Sequence, residues 1–561
     1  MLLIGMLIEM VGLGILLPAL GLMLNSNIRN EHPSIKPYLD FLGDPSQMQL
    51  AIWGMTIIAV VYLLKALYMV FLSWRQSRFA AIVSADLSQN LFLGYLHFPY
   101  SFHLQRNSAQ LIRNILNEIN QFTAVTQACI NLVLEFSVVL GIAIMLLLLE
   151  PIGALSVTFF FAISGILFHW ITKKKLLQWG NGRQHHSGFI NQHLMQGLSG
   201  VKDVKLLGRE DFFFKEFAKH NSEYSRILVR VNTLGLVPRY YLELLAVIGL
   251  GVLIMVMTLQ GKSLDTFIPT LGVFVGAAFR MIPSVNRIMS SMQIVRYSGP
   301  VINLLYDEFI LIKNNKGKAD SLEKIKFVNE IKINHLSFSY SDTTFKALAG
   351  VSLSIKKGQS IGFIGSSGSG KRTLIDVVLS LLSPDEGSVT VDQQDIQNSL
   401  KSWQNMIGYV PQSIYLTDDS LRHNIAFGIA EKEINNAAVE RAIKAAQLDL
   451  FVKNLSEGLD TFVGERGIRL SGGQRQRIGI ARALYHDPEI LVLDEATSAL
   501  DSITEKEVMQ SVSAFRGEKT IIIVAHRLST VENCDYLYRM SNGRIIEEGV
   551  PKQILNSFHE N

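Results

Sequence analysis

Long apolar stretches with almost no charge occupy the first 300 residues, and they limit what this chain can fold into. Each stretch is long enough to cross the ~30 Å hydrocarbon core of a bilayer as an α-helix. The sequence therefore predicts six transmembrane helices. The first four helices hold at most one formally charged residue each, and the last two hold two charged residues each. The six predicted helices are residues 1–24, 48–74, 128–149, 151–172, 233–260 and 266–290.

The first stretch has a second interpretation as a secretory signal peptide. A signal peptide has a basic segment before a short apolar core. Here no Lys or Arg precedes the apolar run, and the run continues to residue 24. We therefore interpret it as a membrane helix. Because the chain starts within this helix, a natural start further upstream stays an open alternative.

The composition excludes several other classes of protein. Charged residues make up 18% of the chain and the mean hydropathy is +0.26, whereas soluble domains hold about 25% charged residues. These values exclude a disordered chain, a collagen-like chain and a small disulfide scaffold. The net charge of +4 is too small to indicate a nucleic-acid partner. Cys129 and Cys534 are the two cysteines, and they indicate neither a disulfide framework nor a zinc site.

Loop charges predict the orientation in the membrane. The loop at 173–232 carries eleven Lys and Arg residues, whereas the loop at 25–47 carries two. Basic loops face the cytoplasm, so we expect the long loops at 75–127 and 173–232 to be cytoplasmic helical extensions of the membrane helices. Each holds an aromatic stretch, at 93–104 and 212–217, that is a candidate contact to a second domain. The predicted location is the plasma membrane, which in bacteria is the inner membrane.

A polar linker at 311–325 separates two kinds of sequence. Residues 1–310 form the predicted transmembrane domain, and residues 326–561 alternate short β-rich runs with helical ones, which is typical of an α/β domain. The predicted buried strands are 361–364, 388–392, 490–494 and 520–525.

A glycine-rich segment after the strand at 361–364 predicts a phosphate site. Such a turn directs backbone N–H groups at phosphate oxygens, and the following helix adds its N-terminal dipole. Lys371 is expected to contact the β- and γ-phosphates. The candidate phosphate-binding residues are Gly365, Ser366, Ser367, Gly368, Ser369, Gly370, Lys371, Arg372 and Thr373.

Arg372 departs from this pattern. The P-loop pattern has Ser or Thr after the lysine, because that hydroxyl ligates Mg²⁺. Arginine cannot ligate a cation, and it adds a second positive charge. Thr373 is one residue further on and points about 100° around the helix. We expect nucleotide binding to survive and Mg²⁺-dependent turnover to be impaired.

Three polar residues follow buried strands further along the chain. Asp494 and Glu495 come after the apolar run at 490–493, and His526 follows the run at 521–525. Asp494 suits holding Mg²⁺, and Glu495 suits accepting a proton from an attacking water. His526 suits a contact to the γ-phosphate. Taken singly, the acidic pair is equally typical of a strand end that meets solvent, and a lone histidine is usually structural.

The segment Leu-Ser-Gly-Gly-Gln at 470–474 shows which family the second half resembles. It is the signature of the ABC ATPases, and the segments at 463–467 and 498–501 also match that family in order. The resemblance implies the cofactors ATP and Mg²⁺. It implies that Tyr340 stacks on adenine and that Gln412 senses Mg²⁺. It implies that Asp501 crosses the dimer interface and that His526 is the switch histidine. It also implies that the signature residues contact a nucleotide held by a second chain, and these are Ser471, Gly472, Gly473 and Gln474.

The resemblance also implies an assembly and a transport direction. One membrane domain followed by one ATPase domain is similar to the half-transporters of the ABC exporter type, which work as homodimers. The implied fold is therefore a six-helix α-helical transmembrane domain followed by an α/β P-loop ABC ATPase domain. The aromatic stretches at 93–104 and 212–217 then fit coupling helices.

Basic residues within the membrane stretches suggest a substrate. Lys65, Arg239, Arg280 and Arg287 are candidate cavity residues for an anionic headgroup, with Glu9, Glu135 and Glu243 as alternative ion-pair partners. Short segments around these residues resemble bacterial flippases for lipid-linked oligosaccharides, which favours a polyprenyl-pyrophosphate-linked glycan. The alternatives are a general lipid or drug exporter, and a nucleotide-binding regulator whose hydrolysis is impaired by Arg372.

Overall fold

The structure is a computed structural model that describes residues 4, 5, 8, 47–149, 151–259, 264–315, 324–340, 343, 345–497, 502–525 and 527–559. The chain divides into two compact units, which we name the helical unit and the α/β unit. The helical unit comprises Met1–Phe98 and Gln105–Lys316, and the α/β unit comprises Pro99–Leu104 and Gly317–Asn561.

Very long helices build the first part of the chain. Helices α1 and α7 have 50 residues each, which at 1.5 Å per residue is roughly 75 Å, more than twice the bilayer core. Helices therefore continue through the loops at 75–127 and 173–232, as the sequence predicts. The helices are α1 (Gln47–Leu96), α2 (Tyr100–Gln105), α3 (Ser108–Arg113), α4 (Ile119–Leu149), α5 (Pro151–Ser199), α6 (Val201–Leu207), α7 (Glu210–Leu259), α8 (Leu264–Tyr297) and α9 (Gly299–Asn315), with a π-helical turn at Asn114–Glu118.

Three stretches of the described helices are long and apolar enough to cross a membrane. They are Ile52–Leu96, Ser108–Leu148 and Glu210–Leu259, and they coincide with the predicted spans 48–74, 128–149 and 233–260. The predicted spans 151–172 and 266–290 lie on α5 and α8. The predicted span 1–24 lies mostly outside the described residues. Helix α9 runs to Asn315 and so includes the first five residues of the predicted linker.

The predicted membrane spans of the helical unit expose large apolar side chains, as lipid-facing helices do. Leu148 is 82% exposed, Phe159 69% and Trp170 67%. Soluble proteins rarely expose such contiguous apolar area. The interior is apolar as well, and Val138, Ile142 and Leu253 pack together there. Apolar side chains on both the inside and the outside of a helix are typical of a membrane bundle.

A buried ion pair joins the π-helical turn to α5. The Arg183 Nη2 donates to the Glu118 Oε2 over 2.8 Å, and the two side chains are 3% and 0% exposed. Arg113 adds a second guanidinium, with its Nε 3.7 Å from the Glu118 Oε1. Asn114, also in the turn, donates to the Tyr95 hydroxyl on α1. Since a buried charge without a partner is costly, this pair specifies how the π-helical turn packs on α5.

The α/β unit contains two sheets. The antiparallel sheet has the strand order β2-β1-β4-β5, and the six-stranded sheet has the order β10-β9-β3-β8-β7-β6 with parallel pairing from β9 to β6. The strands are β1 (Glu330–Ser339), β2 (Lys346–Lys356), β3 (Ser360–Ile364), β4 (Glu386–Val391), β5 (Gln394–Asp395), β6 (Ile407–Val410), β7 (Ile490–Asp494), β8 (Thr520–Val524), β9 (Tyr536–Ser541) and β10 (Arg544–Gly549).

Short helices connect these strands. They are α10 (Lys371–Val378), α11 (Leu400–Asn405), α12 (Leu421–Ile425), α13 (Asn436–Ala445), α14 (Asp449–Lys453), α15 (Gly472–Leu484), α16 (Ser502–Ser513) and α17 (Pro551–His559).

The central strands are buried along their whole length. Every residue of β3, β7 and β8 is buried, because helices cover both faces of a parallel sheet and leave no wet face. The predicted strands 361–364, 490–494 and 520–525 are these three. The predicted buried strand 388–392 is instead β4 of the antiparallel sheet, and it ends one residue earlier. Asp392 leaves the strand with a φ of +46°, and its carboxylate accepts from the backbone N–H groups of Asn329 and Glu330.

We predict that Glu118→Ala strongly destabilises the helical unit. The change leaves Arg183 buried without its partner, which costs about 3–5 kcal/mol and should lower the apparent melting temperature by about 5 °C or more. Thermal unfolding of the detergent-solubilised chain measures this. The control is Glu223→Ala, which removes an exposed pair with Arg226 and should change little. An equal melting temperature for the two variants would contradict the role given to Glu118.

Candidate nucleotide-binding site

The glycine-rich segment connects β3 to α10 at the carboxyl edge of the six-stranded sheet. Gly370 has a φ of +98°, and a Cβ there would lie 2.7 Å from the carbonyl oxygen of Ala347. A side chain at Gly365 would lie 2.3 Å from the carbonyl oxygen of Met540. Both positions require glycine because neighbouring backbone leaves no room. The tight loop that results places the N-terminus of α10 next to the cavity.

Lys371 is held inside this loop. Its Nζ donates to the carbonyl oxygens of Gly365 and Ser366 over 2.8 and 2.9 Å. Burial lowers the pKa of Lys371, and the carboxylates of Glu495 and Asp494 oppose that shift. The Lys371 ammonium thus lies beside the cavity, where phosphate oxygens can replace these two carbonyl oxygens as its hydrogen-bond acceptors. This is the position that the sequence predicts for a β/γ-phosphate contact.

A cavity of about 510 Å³ opens beside the loop. Its size is that of a small-molecule site. It brings together the expected adenine-stacking residue, most of the glycine-rich segment, the loop glutamine and the acidic pair. The lining residues are Tyr340, Thr343, Phe345, Ala347, Ser367, Gly368, Ser369, Gly370, Lys371, Arg372, Thr373, Gln412, Asp494, Glu495 and Val524. Many of the residues predicted to contact the nucleotide therefore line one cavity.

The acidic pair ends β7 and faces this cavity. Asp494 is 2% exposed, and burial raises its pKa while the Arg372 guanidinium opposes the rise. Tyr409 on the neighbouring strand β6 donates to its Oδ2 over 3.3 Å. Glu495 has a φ of +49°, a strained conformation that non-glycine residues keep mainly at functional sites. The Gln412 Nε2 donates to the Glu495 Oε2 over 2.6 Å, so a second loop fixes the carboxylate expected to be the base.

Arg372 points toward the same acidic pair. Its side chain is 63% exposed, and its Nε lies 3.9 Å from the Asp494 Oδ2. Water screens an ion pair of this exposure, so it adds little to stability. Its effect is on the cavity's electrostatics, because it brings a permanent cation to the carboxylate that the resemblance assigns to Mg²⁺.

The residues present do not fit Mg²⁺ in the way that the resemblance implies. Mg²⁺ requires octahedral oxygen coordination. Asp494 and Gln412 line the cavity, but position 372 offers a guanidinium instead of a hydroxyl. Thr373 does not replace the missing ligand, because it is buried and its Oγ1 lies 3.2 Å from the Tyr340 hydroxyl. The cavity thus suits a nucleotide's phosphates better than it suits their usual metal.

The signature segment lies on a different element. Ser471 caps the N-terminus of α15, where its side chain accepts from the Gln474 N–H over 3.2 Å. The Gln474 side chain in turn accepts from the Ser471 N–H over 2.9 Å, which completes a capping box. Among the described residues, Ser471, Gly472, Gly473 and Gln474 do not line the cavity beside Lys371. This separation is what a site shared between two chains requires.

Two expected residues cannot be placed. Asp501 and His526 lie outside the described residues, so their roles stay predictions. The segments that flank them meet at Glu505, which is buried on α16. Its carboxylate accepts from the hydroxyls of Thr497 and Thr530 over 3.2 and 2.9 Å.

Sequence reasoning did not find three residues that organise the site. Asp376 lies one turn after Arg372 on α10, and burial raises its pKa to about 6. Tyr409 and Glu505 make the hydrogen bonds described above. The spacing of Arg372 and Asp376 by four residues could have indicated a shared helix face. Nothing in the sequence pairs Tyr409 with Asp494, since they belong to different strands.

Arg287 and Arg239, two of the expected cavity cations, lie next to carboxylates in the helical unit. The Arg287 Nε lies 2.5 Å from the Glu135 Oε1, and the Arg239 Nε lies 3.1 Å from the Glu243 Oε1. The Lys65 Nζ lies 5.0 Å from the Tyr62 ring centroid. Arg280 is partly buried on α8. These two ion pairs therefore reduce the positive surplus expected from the four residues.

We predict that Lys371→Ala weakens ATP binding by about tenfold or more, since a hydrogen bond to a charged group is worth about 1.5–3 kcal/mol. Titration with a fluorescent ATP analogue, in the presence of EDTA, measures the affinity. Lys332→Ala, an exposed lysine on β1, is the matched control. Unchanged affinity in Lys371→Ala would rule out this lysine as a phosphate contact.

We also predict that Asp376→Asn stabilises the nucleotide-free chain above pH 6. Burial raises the pKa of Asp376 to about 6 from 3.8, so the wild-type chain loses stability as pH rises from the lower value to the higher, where the carboxyl is ionised in the unfolded chain but still protonated in the folded one. The asparagine variant avoids about 3 kcal/mol of that loss at pH 8 and about half as much at pH 5. Melting temperatures at the two pH values measure the difference. Asp418→Asn, at an exposed site, should show no such pH dependence, and a pH-independent effect of Asp376→Asn would contradict the assignment.

Comparisons with known proteins agree with this site and fold. The family described as "ABC transporter" matches residues 348–498, and the family described as "ABC transporter transmembrane region" matches residues 6–236. A structure described as a bacterial Atm1-family ABC exporter with ATP bound is similar over 99% of this chain and 95% of its own, with a TM-score of 0.80 and 23% identity. That similarity shows the fold.

Curated relatives extend over most of the chain. An ATP-dependent lipid A-core flippase of Cupriavidus pinatubonensis is 32% identical over 84% of this chain and 80% of its own length. A protein of the same description from Saccharophagus degradans is 30% identical over 93% of this chain and 88% of its own. The chain therefore belongs to the ABC transporter family, as an exporter-type half-transporter that joins a helical membrane region to an ATP-hydrolysing domain.

Proposed function

We propose that this chain works as a homodimeric, ATP-driven flippase for an anionic glycolipid in the bacterial inner membrane. The observation that carries the proposal is one cavity that combines the Lys371 loop with Asp494 and Glu495, while the signature segment lies on another element. One chain therefore supplies two different halves of a nucleotide site. Two copies arranged head to tail complete two equivalent sites.

The hydrolytic step follows from the residues around this cavity. The backbone N–H groups of the glycine-rich loop and Lys371 hold the phosphates. Glu495 accepts a proton from a water that attacks the γ-phosphorus, and the bond to the β,γ-bridging oxygen breaks. The hydrogen bond from Gln412 holds the Glu495 carboxylate in its strained position. His526 is proposed to contact the γ-phosphate, and Asp501 to reach across the dimer.

Arg372 sets the rate of this step. Its guanidinium supplies positive charge beside Asp494, which favours binding of a polyphosphate without Mg²⁺. It does not supply the oxygen ligand that positions the metal in turnover. We therefore propose that the wild-type chain binds ATP well and hydrolyses it slowly. Both sites of a homodimer carry the same arginine, so neither compensates for the other.

An anionic glycolipid is the substrate class that fits best. Lys65, Arg239, Arg280 and Arg287 place cations on membrane helices, where they are costly and usually functional. Arg239 pairs with Glu243 on the exposed surface of α7, and the two side chains are 67% and 53% exposed. A phosphate group can therefore compete for that guanidinium. The curated relatives are described as lipid A-core flippases, and a polyprenyl-pyrophosphate-linked glycan has the same combination of lipid chain, sugar and anion.

We predict that Arg372→Ser raises Mg²⁺-dependent ATP hydrolysis by about tenfold or more, because it restores the hydroxyl ligand. Phosphate release from the purified chain in proteoliposomes measures the rate. Arg441→Ser, on the exposed face of α13, is the matched control and should leave the rate unchanged. Glu495→Gln should abolish hydrolysis in either background while it leaves ATP binding intact.

The same proteoliposomes test transport and substrate. A lipid A-core glycolipid and a polyprenyl-pyrophosphate-linked glycan are supplied in separate preparations, and ATP-driven movement to the opposite leaflet is followed. We expect movement of one of them, faster with Arg372→Ser than with wild type. Hydrolysis without movement of either lipid would favour a general exporter. If ATP binds but neither wild type nor Arg372→Ser hydrolyses it, the chain is a nucleotide-binding regulator and the proposal is wrong.

A further inference from the structure

A cluster of histidine side chains joins α5 to α7, away from the nucleotide cavity. It consists of His186 and His193 on α5, and of Glu216 and His220 on α7. One ligand atom from each of His193, Glu216 and His220 lies within 4.8 Å of the others. The His186 Nδ1 lies 2.9 Å from the His220 Nδ1. We name these four residues the histidine cluster.

Helix geometry explains why these side chains meet. His186 and His193 are seven residues apart, and Glu216 and His220 are four apart, so each pair shares one face of its helix. The two helices pack closely at both ends of the cluster. A Cβ at Gly197 would lie 3.6 Å from the Phe213 ring, and one at Gly182 would lie 2.9 Å from the Ile227 side chain.

Phe189 orders the cluster from one side. It lies between His186 and His193 in sequence, and its ring stacks on His220 with centroids 4.6 Å apart and an interplanar angle of 11°. The His193 ring is also nearly parallel to His220, with centroids 5.6 Å apart. His193, Glu216 and His220 are all half-buried. The rings therefore have limited freedom while water and ions still reach them.

We propose that the histidine cluster binds a late first-row divalent transition metal, of which Zn²⁺ is the representative. Two imidazoles and one carboxylate are a ligand set that Zn²⁺ uses, with the fourth tetrahedral position open to water. Ligand atoms around Zn²⁺ are about 3.3 Å apart, as bonds of 2.0–2.1 Å and tetrahedral angles require. The ligand atoms of His193, Glu216 and His220 now lie within 4.8 Å of one another, and small side-chain rotations would bring them to the spacing that Zn²⁺ requires.

His186 orients the cluster rather than ligating the metal. Its Nδ1 faces the His220 Nδ1 at hydrogen-bond distance, so one ring donates its N–H to the other. When His220 coordinates through its second nitrogen, its Nδ1–H donates to His186. Such an outer hydrogen bond fixes the tautomer and the ring plane of a metal-bound histidine.

The position of the cluster gives the metal a mechanical effect. It lies on the charged part of α7, whose residues 210–230 carry eight formal charges, and hence outside the hydrocarbon. The connection between α5 and α7 contains the short helix α6 between Gly200 and Gly208. A metal ion held by both long helices cross-links them near this connection. This inference does not depend on the proposed lipid substrate or on ATP hydrolysis.

The test is Zn²⁺ binding to the purified full-length chain, carrying no histidine tag and stripped with EDTA. Isothermal titration should show one Zn²⁺ per chain, with no competition from excess Mg²⁺. His193→Ala, Glu216→Gln and His220→Ala should each weaken the affinity by tenfold or more, and His186→Ala should weaken it less. Two controls should keep wild-type affinity: His486→Ala, an exposed histidine of the α/β unit, and Cys129→Ser, which removes an exposed thiol.

A second measurement does not depend on how well the variants fold. Zn²⁺ should raise the melting temperature of the wild-type chain and of Cys129→Ser, and it should raise that of Glu216→Gln, which keeps the side-chain shape, by less. Absence of stoichiometric binding to wild type would overturn the proposal. Equal binding by wild type and by the His193→Ala/His220→Ala double variant would also overturn it, and would leave ring packing as the cluster's only role.

Discussion

The shared carboxyl edge of buried parallel strands is the constraint on which the nucleotide cavity depends. Strands β3, β8 and β7 are neighbours and run in the same direction, so the residues that follow them emerge at one edge of the sheet. Lys371 and the acidic pair meet there although more than a hundred residues separate them. The hydrogen bond between Gln412, which follows β6, and Glu495 closes the same edge. The order of the strands therefore places Lys371, the acidic pair and Gln412 beside one another.

Within that edge, Arg372 changes the balance of charge. Most of the cavity follows the pattern expected of an ATP site, but the guanidinium 3.9 Å from Asp494 replaces a metal ligand with a fixed cation. Asp376, one turn along α10, adds a carboxyl whose pKa burial raises to about 6. Arg372 also opposes the pKa shift of both carboxyls. The arginine and its acidic neighbours therefore form one electrostatic group, and replacing Arg372 alone alters more than one ligand position.

Two buried carboxylates of the helical unit are held in ion pairs. Glu118 pairs with Arg183, and Glu135 pairs with Arg287, because an apolar environment penalises a charge without a partner. Within the described residues, runs of apolar residues were enough to predict where the membrane helices lie. They could not show which cations have partners, since Arg287 and Glu135 come from helices that are distant in sequence. The histidine cluster is a similar case, because its residues are unremarkable until α5 and α7 pack together.

The sequence by itself determined the two-part architecture and the family, and it predicted most of the residues that line the cavity. These depend on local patterns: apolar length, glycine-rich turns and the signature segment. The sequence also showed that Arg372 replaces the Ser or Thr of the P-loop pattern, because a change at one position of a local motif can be seen in the sequence alone. Only the tertiary structure decided that Thr373 bonds to Tyr340 rather than serving as a replacement ligand, that Tyr409 supports Asp494, and that Arg287 pairs with Glu135 on another helix. The physical reason is that charge and hydrogen-bonding interactions act over a few ångströms, and the folded chain alone sets which groups come that close.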